Sequence, residues 1–150
     1  MATRWEAILD DVETTLEGIT IAAGYHQDVA RVERGVRGPH EREVVPPWLG
    51  FARIGSAEIE SRTGKEITLS TTLAVIGVVQ ASQGDDLQTA VARLEHDVRR
   101  ALAVDPTRDA NAVGTWPISV DTDDGEPDNG PARRGYFVAQ FKIRFDEDLS

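Results

Sequence analysis

Apolar residues at Trp5, Ile8, Leu9, Val12 and Leu16 recur in three- and four-residue steps, which places them on one face of a helix. Thr3 and Glu6 stand at capping-box spacing, where each side chain satisfies the other's backbone N–H. Gly18 followed by Ile19 predicts the stop, with glycine in a left-handed conformation and isoleucine folding back. Residues 28–36 alternate weakly and predict a short strand. The polar stretch that follows, ending at Pro46-Pro47, predicts a long mobile loop. Residues 48–60 predict an extended segment, 61–65 a turn, and 66–80 a long returning strand. From Leu73 to Val79 both faces of that strand are apolar, so this half should be covered on two sides.

A second helix is expected after Gly84-Asp85-Asp86, where aspartate caps and opposes the positive helix end. Leu87, Val91, Leu94, Val98 and Leu102 form its stripe, Arg99 and Arg100 suit its C-terminal end, and Asp105-Pro106 ends it. Residues 116–121 predict a strand. The final strand, 136–145, alternates cleanly, with Phe137, Ala139, Phe141, Ile143 and Phe145 on one face. The order is helix, short strand, hairpin, helix, hairpin. It predicts an α+β fold, an antiparallel β-sheet built from hairpins with two amphipathic helices packed on one face. At 150 residues the chain is the length of a single domain, 1–150.

Composition narrows the function classes. With 16 basic and 26 acidic residues the formal charge is −10, which opposes coating a nucleic acid or docking on an anionic membrane. The chain has no cysteine, so disulfides, thiolate nucleophiles and cysteine-ligated zinc are excluded. No apolar run approaches the length of a membrane span, and the opening residues lack a signal-peptide core, so folding in a cytoplasm is the expectation.

Catalytic and metal chemistry find little footing. His26, His40 and His96 share no ligand spacing, and His96 reads as a solvated surface residue. The acidic run Asp121, Asp123, Asp124, Glu126 and Asp128 lacks the glycine and the bidentate glutamate of a calcium loop in either register. It reads as a solvated hairpin loop. No phosphate-binding loop, dinucleotide fingerprint or nucleophile elbow occurs. Arg31, Arg34, Arg37 and Arg42 are interleaved with Glu33, Glu41 and Glu43, which fits plain solvation or an intersubunit salt-bridge surface. Trp5 and Trp48 each head an apolar pattern and read as core. No catalytic residue, metal or cofactor is expected.

The chain resembles the tail terminator (tail completion) proteins of long-tailed bacteriophages over nearly its whole length. The likeness is carried by the first helix from Trp5-Glu6-Ala7-Ile8 to Leu16-Glu17-Gly18-Ile19, by Val44-Val45-Pro46-Pro47-Trp48-Leu49, by the helix from Leu87 to Leu102 and by the last strand Ala139-Gln140-Phe141-Lys142-Ile143-Arg144-Phe145. The segment Arg108-Asp109-Ala110-Asn111-Ala112-Val113-Gly114 is more polar than in such proteins. The resemblance implies a structural virion protein assembled in the host cytoplasm. It forms a ring, six-fold by expectation, on the head-proximal end of the tail tube, stops tube polymerisation and joins the head or neck. Its implied partners are further copies of itself, the major tail tube protein, a neck or head-completion protein, and DNA that passes without specific binding. Under this reading Asp121, Asp123, Asp124, Glu126 and Asp128 lie in solvent or face the channel, where an acidic lining lets DNA slide. Arg34, Arg37, His40, Arg42, Arg108 and Asp109 are candidates for intersubunit, tube or neck contacts, on loops that would order against neighbours. Another head-to-tail joining ring protein is the alternative; a small-molecule-binding α+β domain is a further one.

Overall fold

The first helix, α1 (Arg4–Glu17), starts as its sequence predicts: the Thr3 hydroxyl accepts the Glu6 N–H at 3.1 Å, and the Glu6 carboxylate accepts the Thr3 N–H at 2.8 Å. The computed structural model describes residues 3–35, 45–82, 86–123 and 132–149. Ile8, Val12 and Leu16 are buried along α1, and Ile19 folds back into the core with its N–H on the Leu16 carbonyl. The helix ends differently from the expectation. Gly18 is right-handed, at φ −78° and ψ −1°, because the chain leaves through one more tight turn and needs no reversal of hand.

A short 3-10 turn (Ile21–Ala23) leads to β1 (Arg31–Arg34), and β2 (Trp48–Thr63) and β3 (Glu66–Ser82) form the first long hairpin. Helix α2 (Leu87–Val104) follows, then β4 (Gly114–Asp123) and β5 (Ala132–Asp148). The sheet order is β1-β2-β3-β5-β4. Both hairpins pair antiparallel, and β3 pairs antiparallel with β5 along its whole length, joining them into one sheet. The fold is α+β, as the pattern predicts. One pairing departs from the antiparallel expectation: β1 lies parallel to β2, with Arg31 opposite Trp48 and Arg34 opposite Phe51. The chain between Arg34 and Trp48 is long enough to carry it back to the same end of the sheet, which a tight hairpin cannot do.

One side of the sheet carries the main core. Leu49 and Phe51 of β2, Leu73, Val75 and Val79 of β3, and Phe137, Ala139, Phe141, Ile143 and Phe145 of β5 meet the stripes of both helices. The opposite side holds a smaller cluster of Trp48, Ile76 and Val78 with Tyr136 and Val138, so the two-sided burial expected between Leu73 and Val79 is present. Two glycines make it possible. A Cβ on Gly77 would stand 2.2 Å from the Phe137 ring, and one on Gly50 would stand 2.3 Å from the Trp48 ring. Each aromatic therefore lies flat over a glycine (Trp5, half-buried, instead stacks on Phe145 at 5.7 Å).

Strand length sets the outline. Strands of 16 and 17 residues span about 55 Å, roughly twice the length of the 18-residue α2. Beyond Arg53 the β2 strand is largely exposed, with Ile59 65% open to solvent.

Candidate functional site

Helix α2 sorts its charges by face. Its N-cap is Asp86, whose carboxylate accepts the Thr89 N–H, and its buried stripe includes the two acids Glu95 and Asp97. All of its exposed charged residues are cationic or histidine: Arg93, His96, Arg99 and Arg100. Arg99 and Arg100 serve local contacts and leave the last carbonyls alone. Arg99 donates to Glu95 at 3.0 Å; Arg100 donates to the Gly24 carbonyl at 2.8 Å and sits 4.9 Å from the centre of the Tyr25 ring.

Asp97 is wholly buried and answers His26, whose ring is 44% exposed. One carboxylate oxygen accepts the His26 backbone N–H at 2.9 Å, and the other lies 2.7 Å from Nδ1. A carboxylate in that position accepts from a protonated Nδ1 and so orients the ring. Such a dyad could orient a base. Among the described residues of the adjoining cleft, which include Gln27, Gln80 and Arg93, the one hydroxyl is that of Thr89, and it is given to Asp86. His96 stands edge-on to His26 at 5.9 Å, yet among the described residues no three His, Cys, Asp or Glu side chains converge to hold a metal ion. The visible work of the dyad is mechanical. With Gln27, which donates to the Ala90 carbonyl, it clamps the segment after α1 onto α2. Asp97→Ala is expected to cost about 1–3 kcal/mol, because both His26 donors lose their acceptor at once. An unchanged urea midpoint would show that the clamp holds nothing.

The signal for this clamp was present in the sequence. Asp97 lies three residues after Leu94, on the stripe that meets the core, and an acid there requires a partner.

The segment after α2 is built the other way round from its polar appearance. Arg108, Asp109 and Ala110 all adopt left-handed conformations, at φ 50°, 57° and 64°. That turn points the Arg108 side chain inward, where it is fully buried and donates to the Leu102 and Asp105 carbonyls at the end of α2. Its Nη1 lies 3.3 Å from Asp11 Oδ2 of α1. Burial raises the Asp11 carboxyl above its ordinary value, against the pull of Arg108, and burial likewise lowers the Arg108 guanidinium. The Thr107 hydroxyl and the N–H groups of Asp109 and Thr107 hold the Asp105 carboxyl below its usual range.

These positions revise the expected contact residues. Arg108 cannot meet a neighbouring molecule, since its side chain is fully buried; Asp109 beside it is exposed. The turn is already closed by its own bonds, Ala112 N–H to the Thr107 carbonyl among them, and does not wait for a partner to order it. Arg34 reaches Asp10 and, at 2.9 Å, Glu13 of α1, so its charge is used within the chain. Arg37, His40 and Arg42 lie outside the described residues. Of the acidic run, Asp121 and Asp123 end β4 opposite Val138 and Tyr136, with Asp121 exposed; Asp124, Glu126 and Asp128 lie outside the described residues.

On the sheet's other side Glu60 bridges Lys142 at 3.2 Å and Arg144 at 2.7 Å. Lys142 and Ser70 beside it keep the Glu60 carboxyl below its ordinary value. Between α2 and β4 runs a mostly apolar groove of about 260 Å³, floored by Leu102, Pro117 and Phe141 and rimmed by His96, Arg99 and Arg100. No protein-family model matches the chain, and no curated protein matches its sequence.

Proposed function

We propose that this chain is a structural subunit that closes as a ring on the head-proximal end of a phage tail tube. There it ends tube polymerisation and offers the surface that joins the head or neck. The observation that carries the reading is the sheet that outruns its helices. The edge strand β4, and β2 beyond the four residues that pair with β1, expose Ile54, Ile59, Trp116 and Ile118. Exposed apolar side chains along open strands are a liability in a solitary protein and useful where neighbours cover them. Both strands are also irregular, β2 between Ile54 and Glu58 and β4 between Pro117 and Ser119. Bulges and proline discourage indiscriminate edge pairing, which suits a subunit that assembles only on a template. The element order is the one the resemblance to tail terminators implies, and it adds support. The partners on this reading are further copies of the chain, the tube protein, a neck or head-completion protein, and DNA in transit.

The test is electron microscopy of particles carrying a labelled copy. A symmetric ring at the head-proximal tube tip, and overlong tubes when the protein is withheld, are the expected results. A ring placed in the neck, away from the tube tip, would assign the chain to head closure instead, and no ring at all would end the reading.

The acidic run gives a second check. Changing Asp121, Asp123, Asp124, Glu126 and Asp128 to Asn or Gln should shift stability by less than about 1 kcal/mol, since solvated charges contribute little. Particles should still assemble, with any defect in DNA passage. Failure at tube capping would make the run a contact element and remove the channel-lining role.

A further inference from the structure

Helix α1 is the electrostatic opposite of α2. Glu6, Asp10, Glu13 and Glu17 follow one another at steps of four, three and four, which aligns them on a single helical face. Glu6, Asp10 and Glu17 are exposed and Glu13 is a third open. Arg34 answers Asp10 and Glu13, while the Glu6 carboxylate accepts the Thr3 N–H. On α2 the sorting runs the other way, with both acids turned inward and Arg93, His96, Arg99 and Arg100 outward. An outward cationic helix is unexpected on a chain of net charge −10. The two helices also reach opposite flanks of the sheet. α1 reaches β1 at one end of the strand order as well as β5, and α2 lies over β3 and β5 and extends to β4 at the other end.

We infer that the acidic face of α1 in one copy seats against the basic face of α2 in the next, beside the apolar groove between α2 and β4. The occupant of the basic face is thus a second copy of this chain. Complementary charge on opposite flanks makes the contact head-to-tail, and a head-to-tail contact whose rotation closes gives a ring. The closed geometry rests on the ring reading above; the pairing of the two helix faces does not. Because the charges are solvated, the contact should be weak and strongly salt-dependent, so copies associate only where a template concentrates them.

Two charge-reversed variants test it. Arg93→Glu with His96→Glu replaces the cationic excess on the outward face of α2 with two acids against two arginines, and Asp10→Lys with Glu17→Lys likewise cancels the acidic excess on α1. Asp10→Lys gives up the bond to Arg34 and His96→Glu the edge contact with His26, so unchanged circular dichroism and an unchanged urea midpoint are required of both variants. Sedimentation of the parent at low salt should show self-association that about 0.5 M salt abolishes, since the screening length is then only a few ångströms. Each variant alone should associate at least about tenfold more weakly, and an equal mixture of the two should recover the parent's behaviour. Recovery is the decisive result, because only pairing of α1 with α2 of another copy predicts it. A parent that stays monomeric at about millimolar concentration in low salt, variants that associate like the parent, or a mixture that fails to recover would each overturn the contact. Variants that still form rings on tube tips would refute this contact and leave the capping function standing. Recovery on mixing without rings on tubes would do the reverse.

Discussion

Phe141→Ala is expected to lower the unfolding free energy by about 3–5 kcal/mol, a large share of the roughly 5–15 kcal/mol that holds a small domain together. Phe141 is 2% exposed on β5, opposite Leu73 of β3 and Pro117 of β4, and it faces the helix layer. Its ring also floors the groove against Leu102 of α2, so truncation strips contacts from two neighbouring strands and a helix together. The cavity would merge with that groove and admit water, which places the cost within this range rather than above it. Gln140→Ala is the control. It lies next along the strand on the opposite, half-buried face and should change stability by no more than about 0.5 kcal/mol. Equal urea midpoints for Phe141→Ala and the parent would mean that the two faces of β5 have been assigned the wrong way round.

What could be read from the sequence follows from how local the cause is. The Thr3–Glu6 cap, the Asp86 cap and the alternation from Phe137 to Phe145 each depend on residues within a few positions, and all three appear in the structure. Sheet order depends on pairings remote in sequence. Hairpin logic yields β2 with β3 and β4 with β5, but nothing local states that β3 and β5 lie side by side or that β1 runs parallel to β2. The same limit governs the side chains that matter. Arg34 looked like one of a cluster of surface bases, and its acids are on α1, 21 and 24 residues away. Arg108 sat in a polar stretch with no glycine to announce a left-handed turn. Its burial follows from three left-handed backbone conformations in a row, of which only the one at Asp109 falls on a residue type that favours them. Asp97 was legible in principle, because an acid on an apolar stripe needs an answering donor.

Arg108→Ala is expected to cost about 3–5 kcal/mol, as much as a large core truncation, because it breaks a buried pair by removing one partner. The wild-type side chain donates to two carbonyls at the end of α2, Leu102 in its last turn and Asp105 at its cap, and balances Asp11 across the gap to α1. Without it, those carbonyls lose their donor and the Asp11 carboxylate stays in a poorly solvated site with no cation. The turn at residues 108–110 would then hold its left-handed backbone without the burial that offsets the strain. The pH dependence separates these causes. Asp11 already has a raised pKa in the folded chain, and Arg108 is the largest influence lowering it. A raised carboxyl pKa means the folded state holds its proton more tightly than the unfolded chain does. Stability from this group is therefore present below the ordinary aspartate value and is lost as pH rises through the folded one. Removing Arg108 moves that folded value further up and widens the window. The deficit of Arg108→Ala should accordingly shrink on acidification from neutral pH toward the ordinary aspartate range, while global acid unfolding is still incomplete. Asp11→Asn introduced into Arg108→Ala should recover part of the loss at neutral pH and flatten the pH dependence. A deficit that is the same at every pH, with no recovery from Asp11→Asn, would assign the whole cost to the α2 carbonyls and the turn, and none to the ion pair.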